Sequence, residues 1–134
     1  MAASHNGEAF HVQTVLDILS RLGLDASALQ CGAHAPYYAP AARELAEAGQ
    51  SPTALHNNCS GKHSGMLAQC LDRHLPIKTY LDPQHPIQVT IKQTLAEMAE
   101  VAPDSIDTAI DGCSVPAFAL PLAASARAFA RLAD

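Results

Sequence analysis

An α/β fold of the α+β kind, mostly helical with a few short strands, follows from three features of the sequence. Apolar residues recur at helical spacing in several segments that stop at glycine or proline. A shorter stretch around Thr108 alternates in the manner of a strand and runs into an Asp-Gly turn. Hydrophobic residues make up 49% of the 134 residues and charged ones 16%, which supplies a core and gives no compositional case for disorder. At this length one domain, or a piece of one spanning residues 1–134, is expected.

From Phe10 to Leu22 the residues Val12, Val15, Leu16, Leu19 and Leu22 fall on one helical face, and Gly23 is a plausible stop. Asp25 to Gln30 can make a short turn of helix, and Cys31 to Pro36 reads as a loop. A second helix, Ala41–Ala48, ends at Gly49, and Gln50 to Thr53 is a connector. The polar and small residues from Leu55 to Gly65 contribute nothing obvious to a core. They open a helix whose Met66, Leu67, Cys70 and Leu71 continue to about His74, before Pro76. A long helix from Pro86 to about Ala102 places Ile87, Ile91, Leu95, Met98 and Val101 on one face, and Pro103 closes it. Asp107 to Ile110 reads as a short strand, Asp111 to Ser114 as a tight turn, and Phe118 to Pro121 as a second extended piece. An Ala-rich helix then runs from Leu122 towards Asp134 without a C-terminal stop signal, as expected of a segment cut from a longer chain.

Eight Lys and Arg against 13 Asp and Glu give a formal net charge of -5, with no block of like charge, so nucleic acid is not an expected partner. No apolar run approaches the roughly 18 residues of a membrane span. The first residues carry no signal pattern, although Met1 falls almost directly into the polar run described next. Cys31, Cys59, Cys70 and Cys113 are not spaced as a disulfide scaffold, which points to thiols in a reducing cytoplasm.

Two stretches can carry chemistry. Cys59-Ser60-Gly61-Lys62-His63 at a helix start, taken with Cys113 in a distant glycine turn, offers two soft thiolates and an imidazole, a reasonable zinc set. Two ordinary buried cysteines would look the same. Ala3-Ser4-His5-Asn6-Gly7-Glu8 precedes the first helix, where Ser4 is either a cap, a solvated turn residue or a nucleophile that needs a base. His5 is badly placed for that task, because neighbours on an extended chain point to opposite sides. No serine is followed three places later by lysine, so the Ser-x-x-Lys signature of acyl enzymes is missing from these residues. Asp111 could grip a substrate ammonium or bond its own turn, and Asn57 and Asn58 are more often loop formers than ligands.

Ala3-Ser4-His5-Asn6-Gly7-Glu8, Leu55 to Leu67 and Asp111-Gly112-Cys113-Ser114-Val115-Pro116 resemble, in order, the signature blocks of the rhizobial type II L-asparaginases of the zinc-containing, serine-lysine class. Leu29-Gln30-Cys31-Gly32 and Tyr80-Leu81-Asp82-Pro83 extend the likeness through almost the whole chain. The resemblance implies a fold similar to serine β-lactamases and glutaminases, and a central fragment of a larger domain. It implies a hydrolase that releases ammonia from L-asparagine, with a homodimer as the full-length form. It assigns Cys59, Lys62 and Cys113 to zinc, His63 and Asp111 to the substrate pocket, and Ser4 to the second of two serine-lysine pairs. A lysine ligates only as the neutral amine, so the metal must lower its pKa. The partners of Ser4 in that scheme lie outside residues 1–134, so the isolated chain is expected to be inactive. The competing expectation is a noncatalytic helical module or inactive fragment in which zinc only holds the fold.

Overall fold

The computed structural model describes residues 4–133. Ala3, at the head of the N-terminal motif, and Asp134, the expected end of the last helix, lie outside that range. The elements in order are α1 (Ala9–Arg21), α2 (Ala39–Glu47), α3 (Ser60–Asp72), α4 (Pro86–Ala99), β1 (Asp107–Ile110), β2 (Pro116–Ala119) and α5 (Leu122–Ala133). Short 3-10 turns stand at Ala26–Ala28, Ala54–His56 and Pro103–Ser105. The chain is therefore α+β, mostly helical with one two-stranded sheet. It divides into two compact units, Met1–Lys78 and Thr79–Asp134.

In the first unit α1 buries Val15 and Leu19, and it packs on α3, which buries Met66, Leu67 and Cys70. Helix α2 starts two residues before its expected Ala41, because Pro40 fits a first turn, where its missing N–H costs nothing. The polar opening of α3 departs from expectation more sharply. Asn57, Ser60, His63 and Ser64 are buried, the last three with no exposed surface. Short hydroxyl side chains make this affordable by bonding back to the main chain: Ser64 Oγ donates to the Gly61 carbonyl at 2.8 Å and Ser60 Oγ to that of Leu55 at 3.0 Å.

In the second unit His85 caps α4 by accepting the Ile87 N–H at 3.2 Å, and Pro86 occupies the first turn. The helix turns Ile87, Gln88, Ala96 and Ala99 inward, with Ile91, Leu95 and Met98 half-buried. It ends at Ala99 rather than near Ala102, because Glu100 takes a left-handed φ of 55° and the Val101 N–H returns to the Ala96 carbonyl. β1 and β2 pair antiparallel, Asp107 opposite Ala119 and Ile110 opposite Pro116. The second strand thus begins two residues before the expected Phe118. The turn sets this register, through the bond from Asp111 N–H to the Val115 carbonyl at 2.8 Å. All four residues of β1 are exposed, so its alternation does not sort an inner from an outer face. Helix α5 packs on α4 through buried Ala124, while Arg127 and Arg131 donate to the carbonyls of Ala99 and Glu97 at 3.1 and 2.8 Å, closing the C-terminal end of α4.

Candidate functional site

In the first unit the N-terminal loop lies against the residues that open α3. The His5 N–H donates to the Asn58 carbonyl at 3.0 Å, and Gly7 brings its backbone in close. A Cβ on Gly7 would stand 2.9 Å from the His56 carbonyl oxygen and 3.0 Å from Pro36, at a φ of 75° that side chains avoid. Only glycine lets the loop pass there. Ser4 does not cap α1, whose N-cap is Glu8; its Oγ lies instead 3.0 Å from the end of the Asn58 carboxamide. His5 turns away from Ser4 and reaches Ser60. Its Nδ1 accepts the Gly7 N–H at 3.0 Å, so Nε2 bears the proton and donates to Ser60 Oγ at 2.8 Å. Burial, and then the neighbouring rings of His11 and His34, hold the His5 pKa below its ordinary value, which keeps this ring neutral. A neutral imidazole that donates to a serine is no base for it.

Cys59 is the N-cap residue of α3, buried, with its own N–H donated to Asn57 Oδ1 at 2.8 Å. Cys59 thus stands at the positive end of the helix dipole. Asn57 also donates to the Cys31 carbonyl at 2.7 Å, so one carboxamide locks the Cys31 loop to the Cys59 turn. Lys62, half-buried, and His63, fully buried, follow within the first turn of α3. Cys70 differs from Cys59: it sits in the core, and burial pushes its thiol pKa up, away from ligand chemistry.

In the second unit the β1–β2 turn carries Asp111 and Cys113. Asp111 Oδ1 accepts the Gly112 N–H at 2.7 Å, the turn-forming role open to any Asp before Gly. Its other oxygen, Oδ2, lies 3.4 Å from Cys113 Sγ, so an exposed carboxylate and a buried thiol meet on one turn. Ser114 bends the chain with a φ of 72°. Cys59 in the first unit, and Asp111 and Cys113 in the second, each offer an atom of a kind that binds metal ions, and the cysteines form no disulfide.

The residues expected from sequence thus fall into three places. Ser4 stands with Asn58; Cys59, Lys62 and His63 share the start of α3; Asp111 and Cys113 share the hairpin turn. His5, set aside from sequence as a base for Ser4, completes the surroundings of Ser60, whereas His34, beside Asn58, had no local pattern to announce it.

These features define a class: an α+β protein with ligand-capable side chains at a helix start and its preceding loop in one unit, and at a hairpin turn in the other. The family model of L-asparaginase II matches residues 1–134, and the chain belongs to that family. No curated protein matches it. The family implies a small amino-acid substrate. No helix among the described residues is long and apolar enough to cross a membrane.

Proposed function

We propose that the protein hydrolyses the side-chain amide of L-asparagine to aspartate and ammonia, and that this chain supplies a zinc site and part of the substrate site. The observation that carries the reading is the match of the L-asparaginase II family along all 134 residues. Ser4 is the proposed nucleophile. Its Oγ attacks the carboxamide carbon while its proton passes to a base and from there to the amide nitrogen, the C–N bond breaks, ammonia leaves, and water then hydrolyses the ester and restores the hydroxyl. His63 and the Asp111 carboxylate are the proposed substrate contacts, Asp111 facing the substrate ammonium.

Zinc is the proposed metal, with Cys59, Lys62 and Cys113 as ligands. The donor chemistry suits it: two cysteine sulfurs outside disulfides, one at a helix N-terminus, match a borderline-soft ion. When bound, zinc supplies polarisation of a carbonyl or orientation of the substrate. Cysteines outside disulfides also favour a reducing compartment, the cytoplasm. A relation in fold to serine β-lactamases and glutaminases, and a homodimer as the full-length form, complete the proposal.

Zinc content and ligand heat test it together. Purified protein is expected to carry zinc by elemental analysis, with Cys59→Ala and Cys113→Ala each losing most of it, and to give a heat of L-asparagine binding that Asp111→Asn abolishes. Unchanged zinc in either cysteine variant overturns the metal assignment. Zinc without any L-asparagine binding would favour the noncatalytic, metal-stabilised module. Ammonia release by the chain alone is expected to be nil, because no serine has a lysine one helical turn along; turnover would show that Ser4 finds its base within these residues.

A further inference from the structure

His34 stands half-buried in the loop before α2, its ring stacked on Tyr37 with centroids 4.7 Å apart. Its Nδ1 lies 2.7 Å from the Ala35 carbonyl oxygen, which only accepts, so Nδ1 carries a proton. Its Nε2 receives the Asn58 backbone N–H at 3.2 Å and is therefore the nitrogen without a proton. The Asn58 carboxamide approaches the same Nε2 to 3.1 Å with one end and Ser4 Oγ to 3.0 Å with the other.

A carboxamide has one accepting end and one donating end, and the partners decide which is which. As placed, the oxygen stands on the His34 side and the nitrogen on the Ser4 side. A bare Nε2 repels that oxygen and attracts an NH2 group. Half a turn of the amide replaces a contact between lone pairs by an N–H···N bond and leaves every heavy-atom position nearly unchanged.

We propose that His34 is a positioning residue for Ser4: through the Asn58 carboxamide it presents an oxygen to the serine, so that the resting Ser4 hydroxyl donates its proton to Asn58. An amide oxygen is too weak a base to remove that proton. The contact orients the nucleophile without activating it, and substrate or base must draw the hydroxyl away before attack. This consequence rests on the reading of Ser4 as nucleophile; the side-chain arrangement does not.

Nuclear Overhauser contacts of the Asn58 side-chain NH2 in the full chain test the arrangement. They are expected to the His34 ring protons; contacts to the Ser4 β-protons and not to the ring would overturn it. His34→Phe keeps a ring against Tyr37 but removes both nitrogens, and the NH2 is expected to turn towards Ser4. If that variant folds and its NH2 still faces the ring, the inference is wrong; if it does not fold, the wild-type contacts decide alone. Where L-asparagine is turned over, His34→Phe is expected to change kcat about tenfold with KM held within about twofold, as befits a residue acting on the nucleophile and not on substrate binding. An unchanged kcat in such a preparation would also overturn it. Absence of asparaginase activity would sink the functional reading while the NH2 contacts still stood.

Discussion

Asn57 shows how much one buried side chain can carry. Its Nδ2 satisfies the Cys31 carbonyl and its Oδ1 the Cys59 N–H, at 2.7 and 2.8 Å. Alanine would leave both groups buried without those partners, at about 1–3 kcal/mol each. Asn57→Ala is therefore expected to destabilise the protein by about 2–6 kcal/mol in urea denaturation, and an unchanged midpoint would contradict this account of the turn. His5 gives a second residue-level expectation, with a definite sign. Its folded pKa lies below the ordinary 6.5, so as pH falls through that value the unfolded chain takes up a proton that the folded protein refuses. Stability from the neutral ring is complete above that value and is lost as pH falls towards the folded pKa. His5→Gln is expected to lose part of the wild-type fall in unfolding free energy between about pH 7.5 and about pH 5.5. The difference between the two proteins is the reading; identical slopes would remove His5 from the linkage.

Helix ends rather than helix faces set the limit of what could be read at the level of elements. The last turn of α3 closes through His74, which sits at a left-handed φ of 55° while its own N–H reaches Leu71 and the Leu75 N–H reaches Cys70. That closure suits glycine, and His74 is exposed, so its side chain gives little in return. His74→Gly is expected to raise stability by about 0.5–1 kcal/mol, relief of the left-handed strain exceeding the added freedom of the unfolded chain; a lower thermal midpoint would refute it. Glu100 shares the conformation but holds Arg127 at 3.3 Å, so glycine there should gain less. Neither residue signals a stop in sequence, so the apolar pattern of α4 runs on past its true end, whereas Gly23 and Pro86 punctuate the chain visibly. The same distinction holds for the site. The block from Asn57 to Ser64 is legible because its members are consecutive, and Asp111 and Cys113 because they share a turn. The link from Ser4 to Asn58 spans 54 positions and that from His34 to Asn58 spans 24, and only folding brings such pairs together.

Helix α5 turns two different faces outward and inward, and this bears on how whole molecules meet. Its inner side holds Ala124 and the two arginines that close α4. Leu122, Phe129 and Leu132, which lie along one stripe at helical spacing, are 85, 73 and 75% exposed. Fully burying one such side chain stabilises by about 1.5–3 kcal/mol, and loss of translational and rotational freedom offsets much of the sum when two molecules associate. Weak, concentration-dependent self-association through α5 is the expected outcome in sedimentation velocity. A net charge of -5 on each molecule opposes that contact at low ionic strength. Added salt screens the repulsion and leaves apolar burial intact, so association should strengthen as salt rises, the reverse of an interface held by ion pairs. Phe129→Ser combined with Leu132→Ser should abolish it without unfolding the unit, because neither side chain is part of the core. Association that persists in the double variant, or that dissolves in salt, would place the contact elsewhere on the molecule.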